Sequence, residues 1–404
     1  MSTTTSISPQ ILAIEGGSPV RASFLPYGRQ SVEEADVQAV VDVLRSDWLT
    51  TGPKVGEFEE AFASRVGAVH AVSFSSGTAA LHAAAFAAGL KAGDEAITTP
   101  MTFAATANCV LYQGATPVFA DVSSDTLNLD PEQVARKISA KTRAILPVDY
   151  AGHPADLAAI LEISQRHGLV VIEDACHALG SEYGGRRVGS IADMTAFSFH
   201  PVKHITTGEG GMVTTDNPQL AEILRRFRNH GISSEARQRQ QTGQWHYEMV
   251  LLGFNYRLPD IVCALGLEQL KRLDGNLARR RAIAAIYSSA FRELPGVIPL
   301  HVRTGINPSW HLYPIRLDLA RLTANRAQVY RALRAENIGV NVHYIPVHYH
   351  PYYRERFGSK IGELPVAETA YERLISLPMF HGMNDGDVED VIHAVKKVLG
   401  HYLK

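Results

Sequence analysis

Ala196-Phe-Ser-Phe-His-Pro-Val-Lys-His-Ile-Thr-Thr-Gly-Glu-Gly-Gly211 sets a single lysine, Lys203, between a β-like run and a glycine-rich turn. A lysine that is to form a Schiff base needs shelter from bulk water, so that its amine is neutral often enough to attack an aldehyde. It also needs a fixed backbone. A strand end followed by a tight turn meets both needs. In isolation such a residue reads as a surface-loop lysine, but the flanking Ser198, His200, Gly208, Gly210 and Gly211 pull the reading toward a cofactor.

Working outward, Val170-Val-Ile-Glu-Asp-Ala-Cys-His-Ala178 opens as an apolar strand and reaches Asp174 at the strand's end. A carboxylate there can keep a pyridinium nitrogen protonated, which makes the ring an electron sink. It can equally cap a following helix. Its place one strand-and-turn unit before Lys203 favours the first role, and puts His177 near the same ring, with capping or packing as the other reading for that histidine. Ser75-Ser-Gly-Thr-Ala-Ala-Leu81 follows another strand and opens a helix, so the amides of Gly77 and Thr78 suit an anion such as phosphate; alone it also describes an ordinary capped helix start. In Thr98-Thr-Pro-Met-Thr-Phe-Ala-Ala-Thr106, Phe103 either stacks on a flat cofactor or packs in the core. Gly253-Phe-Asn-Tyr-Arg-Leu-Pro259 carries Asn255 and Arg257 at alternate positions, as a polar arm toward a phosphate or a simple turn.

The segments between these motifs set the architecture. Apolar runs at Ala71–Phe74, Ala96–Thr98, Pro117–Asp121, Ala144–Val148 and Val170–Glu173 alternate with helical stretches such as Ala79–Ala88 and Leu157–Arg166, the rhythm of an α/β sheet with parallel strands. Nearly continuous Val, Ile, Leu and Ala is what burial on both faces requires, and ligands of such sheets lie at the carboxyl ends of the strands. Thr195–Phe199 and Gly211–Thr215 add two more strands. Ser31 and Glu34 suggest a capping box for a helix with Val37, Val40, Val41 and Leu44 on one face. An amphipathic region from Asn276 to Leu294 leads to a second, smaller α/β pattern, with strands at Leu312–Leu317 and Gly339–His343 and a helix over Arg326–Glu336. The expected division is an N-terminal tail (1–25), a large domain (26–275) and a small C-terminal domain (276–404). Ser233–Gln244 reads as an exposed loop.

A chain of 404 residues can bury a full core. With 46% hydrophobic and 20% charged residues and a net charge of −2, its composition speaks against disorder and against a nucleic acid partner. Three separated cysteines, Cys109, Cys176 and Cys263, suggest neither a disulfide framework nor a zinc knuckle, and fit a reducing cytoplasm. Met1–Gln10 lacks the pattern of a signal peptide and no apolar run reaches the length of a membrane span, so neither export nor a membrane partner is expected.

On these segments the chain resembles, nearly end to end, the sugar aminotransferases of the DegT, DnrJ and StrS family, which have the fold of type I enzymes dependent on pyridoxal 5'-phosphate (PLP). The resemblance implies a large domain with a mostly parallel central sheet and a smaller C-terminal α/β domain. It implies that Lys203, in Ser-Phe-His-x-x-Lys, carries PLP, and that Ser198, Gly77 and Thr78 hold its phosphate. Asp174 meets the ring nitrogen, His177 lies beside the ring and Phe103 stacks on it. Asn255 completes the phosphate site of a neighbouring subunit, so the working unit is a homodimer with active sites at the interface.

Pro26-Tyr-Gly-Arg-Gln30, Leu49-Thr-Thr-Gly-Pro53, Val148-Asp-Tyr-Ala-Gly152, His177-Ala-Leu-Gly-Ser-Glu-Tyr183 and Val342-His-Tyr-Ile-Pro346 are similar to the branch of the family that serves pseudaminic acid biosynthesis. That similarity implies L-glutamate as donor, a UDP-linked 4-keto-6-deoxy-N-acetylhexosamine as acceptor, and UDP-4-amino-4,6-dideoxy-N-acetyl-β-L-altrosamine as product. Tyr27, Arg257 and His343 become candidates for the substrate pocket, against core or surface roles for each. A GDP- or dTDP-linked keto sugar, aminated at C3 or C4, stands as the alternative. A non-catalytic sugar-nucleotide sensor is a further one, which an intact Lys203 and Asp174 oppose. A metal site from His343, His348 and His350 lacks evident carboxylate partners, and no metal is expected.

Overall fold

The structure is a computed structural model and describes residues 11–234, 239 and 242–404. Met1–Gln10 and part of the 233–244 segment therefore lie outside the described residues. Seven strands form the central sheet: β1 (His70–Phe74), β2 (Glu95–Thr98), β3 (Thr116–Phe119), β4 (Thr142–Leu146), β5 (Val170–Asp174), β8 (Met194–Ser198) and β9 (Gly211–Thr215). The intervening β6 (Glu182–Tyr183) and β7 (Arg186–Arg187) form a small side sheet with β11 (Ile306–Asn307). The spatial order of the large sheet is β1-β9-β8-β5-β4-β2-β3. From β8 to β3 every pairing is parallel, and β9 runs antiparallel to both β8 and β1.

The parallel strands are the continuous apolar runs because helices cover both faces. Val72, Phe74, Ile172 and Ala196 pack under the helix Gly77–Ala87, while Ile97, Ile145 and Val171 pack against Leu157 and Ile160 of the helix Leu157–His167. The parallel arrangement places the ends of β2, β4, β5 and β8 along one edge, and the antiparallel β9 brings Gly211 to that edge beside Phe74 of β1 and Ser198 of β8. Ser75–Thr78, Thr99–Thr106, Asp174–His177 and Ser198–Lys203 all leave the sheet there.

A second three-stranded sheet, β10 (Val297–Pro299), β12 (Tyr313–Leu317) and β13 (Leu374–Leu377), packs on the helices Arg326–Ala335 and Asp385–Tyr402. The helix Leu273–Phe291 belongs to both cores. Leu273 and Leu277 join the cluster of Phe58, Phe62 and Phe199, whereas Ile283, Tyr287 and Phe291 join that of the second sheet.

Three local expectations are corrected. The segment after residue 10 is no free tail, because Leu12 and Leu25 are buried in the second core and the buried Glu336 carboxylate accepts from the amides of Ala13 and Val20. The helix Glu34–Leu44 is capped by Glu33 and Asp36 instead of Ser31 and Glu34, since Asp36 is held by Gln269 and Arg272 and this fixes the start of the helix. As a result Val37 and Leu44 are exposed, while Asp36 and Val43 face inward. Gly339–His343 is not a strand: Ile338 bridges Leu25 and Asn341 bridges Ser376, so single bridges replace a ladder.

Candidate active site

A cavity of about 410 Å³ opens where the loops after β1, β2, β5 and β8 meet residues from outside the central sheet. Lys203, Asp174, Gly77, Thr78, Phe103, His177, Ser198, Tyr27 and His343 all line it. Nine residues singled out from separate motifs thus converge on one space.

Asp174 ends β5 and is almost fully buried. One carboxylate oxygen accepts from the Thr106 hydroxyl at 2.6 Å and the other from the Cys176 amide at 3.1 Å, which fixes the carboxylate plane. No helix follows directly, because residues 175–181 form turns, so the helix-cap reading of Asp174 fails. Lys203 sits in the turn after β8, its amide donating to the His200 carbonyl at 2.9 Å. Burial lowers its ammonium below the ordinary lysine range, while the Cys176 and Asp174 side chains oppose that shift. The net direction favours a neutral amine.

Ser76 caps the helix Gly77–Ala87 by accepting from the Ala79 amide at 3.1 Å, which leaves the first amides of the helix facing the cavity. A side chain at position 77 would come within 2.9 Å of Ser198 Cβ, so the glycine lets the helix start and the Ser198 strand end close together. Phe103 is 63% exposed at the cavity mouth, with its ring 6.3 Å from that of Tyr344; the core-packing reading fails.

His177 bonds through Nε2 to the Tyr344 hydroxyl at 2.9 Å and packs against His311, with ring centroids 4.4 Å apart. Burial, reinforced by the nearby Lys203, holds the His177 imidazole well below its ordinary value, so it is neutral. His343 Nδ1 lies 2.9 Å from Ser376 Oγ and its ring 5.4 Å from that of Tyr27. Its pKa is pushed down to about 4, by burial first and by Lys203 second.

Two expected residues lie elsewhere. Asn255 is exposed and its backbone bridges Asn229. Arg257 donates to Asn229 Oδ1 at 2.6 Å and lines a different cavity, of about 420 Å³, with Arg225 and Thr51. The metal alternative also fails to converge: His348 bonds Glu368, and among the described residues no group of three or more His, Cys, Asp or Glu could hold a metal ion. Sequence reasoning missed Thr106, Cys176, His311 and Tyr344 as cavity residues. Thr106 and Tyr344 sit inside motifs already quoted, but nothing in a linear pattern tells that a threonine reaches across to Asp174.

The comparisons with known proteins agree with this geometry. The model of the DegT/DnrJ/EryC1/StrS aminotransferase family matches residues 30–396. Spore coat polysaccharide biosynthesis protein SpsC of Bacillus subtilis (strain 168) is 45% identical over 381 residues, covering 94% of this chain and 98% of its own. Among solved structures, Helicobacter pylori PseC, an aminotransferase involved in the biosynthesis of pseudoaminic acid, is 35% identical with a TM-score of 0.87. The match covers 94% of this chain and 100% of that one. The PLP form of the putative sugar aminotransferase Spr1654 from Streptococcus pneumoniae is 32% identical with a TM-score of 0.88, again covering 94% and 100%.

Proposed function

The chain belongs to the DegT/DnrJ/EryC1/StrS aminotransferase family, whose cofactor is pyridoxal 5'-phosphate, and from that premise we propose a specific transamination. It moves the amino group of L-glutamate to C4 of a UDP-linked 4-keto-6-deoxy-N-acetylhexosamine. The product is UDP-4-amino-4,6-dideoxy-N-acetyl-β-L-altrosamine, for pseudaminic acid biosynthesis. The observation that carries the chemistry is the convergence of Lys203 and the doubly held Asp174 on one cavity. The likeness to PseC supports the choice of sugar.

PLP supplies an electron sink for the carbanion formed at the donor's α-carbon. The chain's own residues do the rest. Lys203 Nζ, kept toward the neutral form by burial, takes the proton from the donor's α-carbon and later returns one at the sugar's C4. Asp174, its carboxylate fixed by Thr106 and the Cys176 amide, would hold the ring nitrogen. Gly77 and Thr78 offer amides, and Ser198 a hydroxyl, to the phosphate at a helix start. The space left by the missing side chain at Gly77 supports that fit. Phe103 and His177, both lining the cavity, would cover and flank the ring. Tyr27 and His343 face the sugar.

Asn255 and Arg257 reach no part of this chain's own cavity, so their proposed roles at the phosphate and the substrate require a second copy, with active sites at the interface of a homodimer. Among the described residues no helix is long and apolar enough to cross a membrane, and the proposed setting is the cytoplasm.

A second acceptor, another nucleotide-linked keto sugar, is favoured by the higher identity to the spore coat polysaccharide protein than to PseC. Product analysis with UDP-, GDP- and dTDP-linked 4-keto and 3-keto sugars separates the two readings. The visible spectrum of purified protein with and without L-glutamate tests the shared core. A protein that stays colourless after incubation with PLP refutes it.

A further inference from the structure

Beneath the floor of the cavity lie two carboxyls that the proposed reaction does not use. Val148 bridges Asp174 in the parallel direction, so the next residue of one strand and the previous residue of the other, Asp149 and Glu173, share the opposite face. Both are fully buried. Asp149 Oδ1 accepts from the Ala155 amide at 2.9 Å and Glu173 Oε2 from the Thr195 hydroxyl at 2.8 Å. The remaining oxygens, Asp149 Oδ2 and Glu173 Oε1, have no hydrogen-bond partner among the described residues. Each carboxyl thus keeps one unsatisfied oxygen on the same buried face, a position that disfavours its ionised form.

The charged groups bearing on the pair are its own two members and Asp174. From the flanking elements come the uncharged Thr195 hydroxyl of β8 and the Ala155 amide. Burial raises both carboxyls above their ordinary values, Glu173 up to about 7. Like charges gathered in one buried region resist ionising together.

We propose that Asp149 and Glu173 share one proton and act as positioning residues for Asp174, so that the three neighbouring carboxyls carry two negative charges instead of three. With one proton held between them, the Asp174 carboxylate stays ionised and available to a protonated ring nitrogen. Loss of that proton at alkaline pH puts a third negative charge beside the pocket proposed for the ring nitrogen. The action on Asp174 rests on the role proposed for that residue above, whereas the shared proton does not.

The test begins on cofactor-free protein by infrared spectroscopy in deuterium oxide at neutral pH. The expected result is a C=O stretch of an un-ionised carboxyl in the wild type that is lost in Asp149→Asn, whose amide donates to Glu173 without a titrating proton. Glu173→Gln serves as the second variant should the first fold poorly, and the wild-type band needs no variant at all. Absence of the band in the wild type overturns the shared proton. With PLP and L-glutamate, the wild-type half-reaction should fall about tenfold per pH unit on its alkaline limb as one proton is lost, a limb that Asp149→Asn lacks. An alkaline limb identical in both proteins overturns the action on Asp174. A wild type that binds no PLP refutes the cofactor reading and with it the action on Asp174, while the infrared result still decides the shared proton.

Discussion

Gly77→Ala probes the place where a helix start meets a strand end. The new methyl would stand 2.9 Å from Ser198 Cβ, 3.1 Å from Ser198 Oγ and 3.5 Å from Cys176 Sγ, against an ordinary contact range of 3.4–4 Å. The first neighbour is a Cβ atom tied to the backbone, so the two segments must part by about half an ångström. Overpacking of that kind costs about 1–3 kcal/mol. Alanine recovers about 1 kcal/mol of it through its better helix propensity. Folding stability should therefore drop by no more than about 2 kcal/mol. Cofactor affinity should suffer more, since spreading the cradle removes at least one hydrogen bond to a charged phosphate, worth about 1.5–3 kcal/mol. That is a ten- to hundredfold weaker Kd, to order of magnitude. Titration of cofactor-free protein with PLP, followed by absorbance, gives the affinity, and thermal unfolding of the same sample gives the stability. Gly77→Ala/Ser198→Gly removes the clash and should restore the melting temperature without restoring the affinity, because the hydroxyl is gone. Wild-type PLP affinity in Gly77→Ala refutes the assignment of this cradle to the phosphate.

Three further outcomes follow from the geometry. Lys203→Ala should lose the glutamate-dependent spectral change and lower the half-reaction rate by about 10²–10⁴-fold in stopped-flow absorbance, the usual worth of a positioned proton carrier. His343 is buried and neutral with its pKa depressed to about 4, so its contribution to stability is present above an unfolded value near 6.5 and is lost as pH falls from there toward 4. In urea melts across that window His343→Gln should lose about 3 kcal/mol less than the wild type. If active sites are composite, mixing inactive Lys203→Ala and Asn255→Ala proteins under exchange conditions should restore about a quarter of wild-type activity, and a mixture that stays inactive argues against Asn255 acting in the partner's site.

Much of the central sheet is legible in the sequence because burial on both faces leaves strands such as Ala144–Leu146 and Val170–Ile172 apolar at every position, with no solvent face to dilute the signal. The cavity residues at strand ends are legible only in combination: Gly77, Asp174 and Lys203 each fit an ordinary turn alone, and their recurrence after successive strands singles them out. The helix Glu34–Leu44 was misread because its inward face carries Asp36, whose partners Gln269 and Arg272 lie far along the chain. Gly339–His343 has the composition of a strand but meets only single partners, Leu25 by way of Ile338 and Ser376 by way of Asn341. Thr106 was passed over because its contact with Asp174 spans 68 residues and exists only once β2 and β5 are set in one sheet. The burial of Leu12 depends likewise on a core built from the other end of the chain.

The cavity draws its walls from two sources. Gly77, Phe103, Asp174, Ser198 and Lys203 hang from the rim of the large sheet, whereas Tyr27, His311, His343 and Tyr344 come from the opposite lobe and the segment laced to it through Leu25 and Ile338. One wall is an anvil and the other a template. On the roles proposed above, substitutions on the template should change which sugar is accepted more than the rate of the glutamate half-reaction. The two walls meet where His177 touches Tyr344 and His311, so a change on the template that moves either of these also moves a side chain of the anvil.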